Sequence, residues 1–349
     1  MAVIAIIGAG LAGLAAACEL SAAGHRVTLF EKSRGVGGRA ATRRVEGVRF
    51  DHGLQYVKSP TAAIADLLQA SGGAIDIGRP VWIFDQAGHV QPGDPELNAE
   101  PKWTWPDGVT ALAKYLAQGL DVRFEATVTA IRTMAEGGYG IDLAGAERPI
   151  AAEAVLLTAP AAQSAAILRA GDLPNRRLTE LTTALDGVMY RRCISLTMAF
   201  ANRPQVPWYA LVNIDRGHAI SWLACEHDKP GRAAESLGLM TAQMADSWSV
   251  ANWESMVRGQ FAPDSLPEPA QNVPALIEAL SGQSLGAPLW VNVQRWRYAL
   301  PDNGLDADAL NAAGDGIYLA GDMAAGQGRA HLAIESGWHT ARLMIEHLR

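Results

Sequence analysis

Residues 3–13 read Val3-Ile4-Ala5-Ile6-Ile7-Gly8-Ala9-Gly10-Leu11-Ala12-Gly13, followed by the small-residue run Leu14 to Ala23 and by His25-Arg26-Val27-Thr28-Leu29-Phe30-Glu31. The first five residues form an unbroken, β-rich apolar run, as expected of a strand buried on both faces. Leu14 to Ala23 reads as helix, and Arg26 to Phe30 resumes as strand. Each glycine between them has a mechanical task. Gly8 makes the tight turn, Gly10 lets a pyrophosphate approach the backbone, and Gly13 lets the helix lie against the strand. Ala9, Leu11 and Ala12 complete the loop, and the N–H groups at the helix start offer partial positive charge to phosphates. Glu31, roughly 20 residues beyond the glycines, is placed to accept hydrogen bonds from a ribose hydroxyl. Strand, turn, helix, second strand and terminal acid together predict a dinucleotide site on a Rossmann-like α/β domain.

The whole chain has 349 residues, enough for about two domains. Apolar residues make up 49% and charged residues 19%, which excludes a disordered chain. Lys+Arg of 29 against Asp+Glu of 36 leaves a net charge of −7, a balance that disfavours nucleic acid or an anionic membrane as partner. Cys18, Cys193 and Cys225 are scattered, which suits a reducing compartment. The 8 histidines show no HExxH spacing, so no metal is expected. Val3 to Leu20 lacks a basic leader and is broken by glycines, and no run approaches the ~20 apolar residues of a membrane span. The expectation is a cytoplasmic protein.

Directly after Glu31 stands Lys32-Ser33-Arg34-Gly35-Val36-Gly37-Gly38-Arg39-Ala40-Ala41-Thr42. A second glycine pair lets backbone approach the far side of a long cofactor, and Arg39 can reach its pyrophosphate. This segment resembles the R-x-G-G-R-x-x-S/T motif of the flavin-containing amine oxidase superfamily. The resemblance implies FAD, with Lys32, Ser33, Gly38 and Arg39 among its contacts. Phe50-Asp51-His52-Gly53-Leu54-Gln55-Tyr56 resembles the superfamily's next element, and implies that Leu54, Gln55 and Tyr56 run beside the flavin. Residues 119–131 resemble a strand pair in which Val128 contacts the adenine. Val155 to Pro160, with Ala159, resembles the strand and turn that return the chain to the cofactor domain. Gly316 to Asp322 resembles the strand ending in Gly321-Asp322, whose acid hydrogen-bonds a ribityl hydroxyl. The entry to the last helix implies flavin contacts at Leu332 and Ala333, where a helix N-terminus stabilises negative charge on reduced flavin. No cysteine lies between Ala320 and Ala333, so the FAD is expected to be non-covalent.

The expected organisation is a discontinuous FAD-binding domain, 1–57, 106–184 and 290–349, with an α+β substrate-binding domain from 58–105 and 185–289. In the latter, a helix is expected at Thr61 to Ala70 and strands at Cys193–Phe200, Ala210–Ile214 and Ala219–Cys225. Lys32 to Gly35, Asp51 to Tyr56, Ser221-Trp222-Leu223-Ala224 with Lys229-Pro230-Gly231-Arg232, and Gln294 to Pro301 resemble the bacterial branch of the renalase family. Two segments depart from it: Met240-Thr241-Ala242-Gln243 replaces a His-Ala-Thr, and Arg329-Ala330-His331-Leu332-Ala333 replaces Arg-Val-Glu-Gly-Ala.

The renalase resemblance implies oxidation of 2- and 6-dihydro isomers of NAD(P)H, with hydride moving to flavin N5 and oxygen reduced to peroxide. Such chemistry needs positioning more than a general base. Tyr56, Trp82, Trp222, Trp296 and Tyr298 are candidates for an aromatic box, though each is equally suited to a core. Arg297 is a candidate for a substrate phosphate or for pairing with an acid, and His331 for proton handling. The alternatives are an amine or amino-acid oxidase, or a flavoprotein isomerase or binding protein without net oxidation.

Overall fold

Val3–Ile7 (β1) lies at the centre of a five-stranded parallel sheet in the computed structural model, which describes residues 1–349. The order is Ile317–Leu319, Ala154–Leu157, β1, Arg26–Phe30 (β2) and Asp121–Arg123. Ile6 pairs with Leu156 on one side and Leu29 on the other, so β1 is flanked by apolar strands as its composition requires. Leu11–Ala22 (α1) carries the chain from β1 to β2. The last helix, Ala330–His347, packs against α1, and a Cβ on its Gly337 would lie only 2.2 Å from the Ala12 carbonyl oxygen. Small residues on both helices are what permit that approach.

Two units divide the chain. The first comprises 1–40, 112–190 and 300–349, and the second 41–111 and 191–299. Both units are discontinuous in sequence. The hairpin Thr42–Val45 (β3) and Val48–Asp51 (β4) belongs to the second unit, as do 106–111 and most of Trp290–Pro301. Residues 185–190 belong to the first. Two sets of contacts hold the hairpin in the second unit: Val48 and Phe50 pack with Ala199, Leu239 and Trp290, and Asp51 at its end is bonded to Lys229 and Arg232.

The first unit adds a three-stranded antiparallel sheet, Val128–Thr133, Tyr139–Leu143 and Ile150–Ala152. The expected pair within 119–131 is therefore split, with Asp121–Arg123 on the parallel sheet and Val128 opening the antiparallel one. In the second unit an eight-stranded sheet runs in the order Gly259–Phe261, Trp290–Pro301, Tyr190–Phe200, Gly238–Met244, Ile220–Cys225, Ala210–Asn213, Val81–Phe84 and Val90–Pro92. Its core is built from Ile194, Leu196, Met198, Met240, Val291 and Val293 on one face. The helix expected after Thr61 spans Ala62–Ala70, with the Thr61 hydroxyl accepting from the Ile64 N–H. No helix is long and apolar enough to cross a membrane.

Candidate functional site

In the first unit the turn after β1 is built from backbone. Gly8 adopts φ +106°, and a Cβ there would stand 2.9 Å from the Thr158 hydroxyl. A Cβ on Gly13 would lie 2.2 Å from the Gly8 carbonyl oxygen. At Gly10, by contrast, no atom lies within 4 Å of where a Cβ would be. The loop is thus closed against protein at its ends and open at its middle glycine. No side chain caps α1, so its first-turn N–H groups are without a side-chain acceptor. A dinucleotide pyrophosphate fits this cradle.

Glu31 is buried, and it accepts from the Ala9 N–H at 3.0 Å and the Ser33 N–H at 2.8 Å. It therefore ties the glycine turn to the loop after β2, and each oxygen keeps a lone pair for a ribose hydroxyl. Gly37 donates to the Ala9 carbonyl at 2.8 Å, and Gly38 takes φ +57°. Lys32 reaches away to Gln163. Arg39 forms an ion pair with Asp322, so the arginine and the acid nominated for opposite ends of the cofactor meet each other. Tyr190 donates to the second Asp322 oxygen at 3.2 Å. Burial, reinforced by the Asp322 charge, raises the phenol of Tyr190 above its ordinary range. Sequence reasoning missed Tyr190, which stands at a strand start without a motif. Gly321, at φ +110°, donates to the Ser336 hydroxyl. His331, Leu332 and Ala333 lie in the first turn of Ala330–His347, which no side chain caps. Val128 is buried in the core with Phe30 and Ile7, and Ala159 precedes the helix Ala161–Arg169, its carbonyl accepting from Ser164.

The second unit holds a closed charge network. Asp51, Glu226, Lys229 and Arg232 are each no more than 1% exposed. Lys229 donates to Asp51 at 3.0 Å and pairs with Glu226. Arg232 reaches both Asp51 oxygens, at 3.2 and 2.6 Å, and the Thr104 hydroxyl at 2.9 Å. Thr42 and the Val109 N–H also donate to Asp51, and the Asp51 N–H donates to Glu226. Two acids meet two bases, so the buried set is neutral overall. Burial alone would raise the Asp51 carboxyl, but Lys229 and Arg232 outweigh it and hold the group below its ordinary value. For Glu226 burial wins, and its carboxyl is raised. The network also grips the loop after β4: Gln55 bonds the Asp51 carbonyl and lies 3.4 Å from Lys229.

The five nominated aromatics do not form one box. Tyr56 and Trp222 group with Tyr209, which the sequence reading missed, at centroid distances of 6.1 to 6.4 Å. Trp296 stacks on His52 at 5.4 Å and 12°, and its indole N–H donates to the His52 carbonyl. Trp82 packs on the apolar core of the sheet. Tyr298 and Arg297 follow on the strand of Trp296, and Arg297 is exposed above the Trp253 ring. The departure at Met240–Gln243 borders the first group, since Gln243 pairs with Trp222 and donates to the Gly53 carbonyl at 2.6 Å.

Burial lowers both His52 and His227 to about 4, so both are uncharged and weakly basic at neutral pH. Cys225, His227 and Asp228 bring ligand-type atoms within 4.8 Å of one another. Arg79 already pairs with Asp228, and His227 Nδ1 is engaged by Leu239. Leu54, beside Gln55, is half-buried.

A βαβ cradle that fits a pyrophosphate stands in one unit of the chain, and a mixed sheet in the other. The NAD(P)-binding Rossmann-like family matches residues 6–70, and the flavin-containing amine oxidoreductase family matches 59–345. The chain belongs to the flavin-containing amine oxidoreductase family. The 4,4'-diapophytoene desaturase (4,4'-diaponeurosporene-forming) of Staphylococcus aureus strain Newman is 49% identical over 86 residues. That match covers 24% of this chain and 17% of the desaturase. Among solved structures, cyclohexylamine oxidase from Brevibacterium oxydans superposes with TM-score 0.76 at 16% identity over 99% of both chains. The CLA-producing fatty acid isomerase from P. acnes gives TM-score 0.67 at 16% identity, over 99% of this chain and 98% of that one. At such identities the likeness is of fold.

Proposed function

We propose that this chain is a renalase-like oxidase of dihydronicotinamide isomers. The observation that carries the reading is the neutral network of Asp51, Glu226, Lys229 and Arg232. It unites the two most distinctive renalase-like segments, Asp51–Tyr56 and Lys229–Arg232, in one buried assembly. Glu31, the α1 N-terminus, Arg39 and Asp322 would hold non-covalent FAD. When bound, FAD accepts a hydride at N5 and is reoxidised by oxygen.

The chain's own task is positioning. Tyr56, Tyr209 and Trp222 offer flat apolar faces to a nicotinamide ring. His52 and His227, whose basicity burial lowers, are poorly suited to act as general bases. An oxidation that yields an aromatic pyridinium needs none. The free cysteines fit a cytoplasmic setting. Oxygen-electrode assays with 2- and 6-dihydro-NAD should give one peroxide per isomer consumed and a rate nearly flat between pH 6.5 and 8.5.

A second reading rests on the same three rings, which also suit an amine cage. An amine must lose its proton before oxidation, so its rate would climb steeply with pH. A climbing profile with amines, and no turnover of the isomers, would replace the first reading with the second.

A further inference from the structure

Side chains alternate along the strand Trp290–Pro301. Val291 and Val293 point into the core that contains Trp253, whereas Trp296 points to His52. Arg295 and Arg297 share the parity of the valines, and their guanidinium carbons lie 4.3 and 6.0 Å from the Trp253 ring centroid. Arg192 continues the parity of Ile194 and Leu196 on the neighbouring strand and stands 5.1 Å from the same centroid.

Three guanidinium groups thus gather at one indole, and none of them has a carboxylate within ion-pair distance. Asp246 accepts from the Arg192 backbone N–H rather than from its side chain. Arg39, Arg79, Arg132, Arg169, Arg177 and Arg232, by contrast, each meet an acid. In a chain of net charge −7 with 36 acidic residues, a three-arginine group without one is an unneutralised site. Attraction of a guanidinium to an aromatic face orients the arginines without cancelling their charge. The Trp253 indole N–H is buried and also lacks an acceptor.

We propose that Arg192, Arg295 and Arg297, arrayed on Trp253, form a binding site for a phosphate-type dianion. The site lies on the sheet face opposite His52 and Trp296. Planar guanidinium forks match phosphate oxygens in bidentate geometry, and three of them suit a group carrying at least two negative charges. A free polyphosphate and the diphosphate of a nucleotide share that chemistry.

The test uses the FAD-saturated protein, so that the cradle in the first unit is already filled. Inorganic pyrophosphate and ADP are titrated separately by calorimetry at fixed ionic strength. The double variant Arg295→Gln/Arg297→Gln should lose at least tenfold in pyrophosphate affinity. Arg169→Gln, which removes an exposed charge of the first unit, is the control and should lose less than twofold. ADP binding at least tenfold more tightly than pyrophosphate, with the same loss in the double variant, would assign the site to a nucleotide. Equal affinities would assign it to free oxyanions. No pyrophosphate binding beyond that of chloride, or equal losses in the double variant and the control, overturns the proposal. Since nothing is turned over, its failure is distinct from failure of the oxidase reading.

Discussion

Gly10 in the first unit and Asp51 in the second show two opposite treatments of polar groups. Around Gly10 there is open space, and the N–H groups of α1 have no side-chain acceptor. Around Asp51 every position is taken, by Thr42, Val109, Lys229 and Arg232. The first arrangement keeps polar groups available for a ligand. The second satisfies them internally and fixes one loop. Buried ion pairs often add little net stability over apolar replacements, but removing one partner strands the others. The network is therefore best understood as a device that specifies where Asp51–Tyr56 sits.

The largest effect should come from breaking the closed set. Asp51→Ala leaves Lys229 and Arg232 with one carboxylate between them, at a cost of about 3–5 kcal/mol in urea unfolding. An Asp51→Ala protein as stable as wild type would show that the network is not holding charge in the dry interior. Gly13→Val attacks the open set. Its Cβ would collide with the Gly8 carbonyl, so the purified protein should lose its yellow colour at ordinary flavin concentrations while the second unit keeps its fold. Limited proteolysis and visible absorbance separate the two outcomes.

A third effect concerns pH. His52 and His227 are held at about 4 when folded, against 6.5 for an unperturbed histidine. The unfolded chain then binds more protons between these values, so stability is full above pH 6.5 and falls as pH drops towards 4. Each histidine accounts for about 3 kcal/mol across that window. Thermal scans from pH 7 to 4.5 should show the fall, and His227→Gln should reduce its slope. The smallest effect is expected at the aromatic group. Trp222→Leu should raise KM for a dihydronicotinamide three- to tenfold while flavin content stays constant, since one ring pair contributes about 0.5–1.5 kcal/mol.

The same contrast explains what could be read from sequence. The cradle was legible because its parts are adjacent: β1, the glycines, α1, β2 and Glu31 all lie within 31 residues. Their spacing carries the geometry. The network was not legible, because Asp51 and Arg232 are 181 residues apart and each is an ordinary residue in isolation. Only Lys229-Pro230-Gly231-Arg232 stood out, and by resemblance, without any hint that it meets Asp51 and Glu226. The hairpin β3–β4, adjacent in sequence to the cofactor motif, falls in the second unit. Tyr190 and Tyr209 were overlooked for the same reason, being single residues whose partners arrive from distant strands. Aromatic residues were singled out by type, but the strand alternation that sends Trp296 to His52 and Arg297 to Trp253 determines their company.

The most direct measurement is an anaerobic titration of the purified protein with 2- and 6-dihydro-NAD, followed in the visible flavin band. The account predicts a yellow protein whose band bleaches rapidly with one equivalent of either isomer and returns on admitting air. A yellow protein whose band neither isomer bleaches would contradict it.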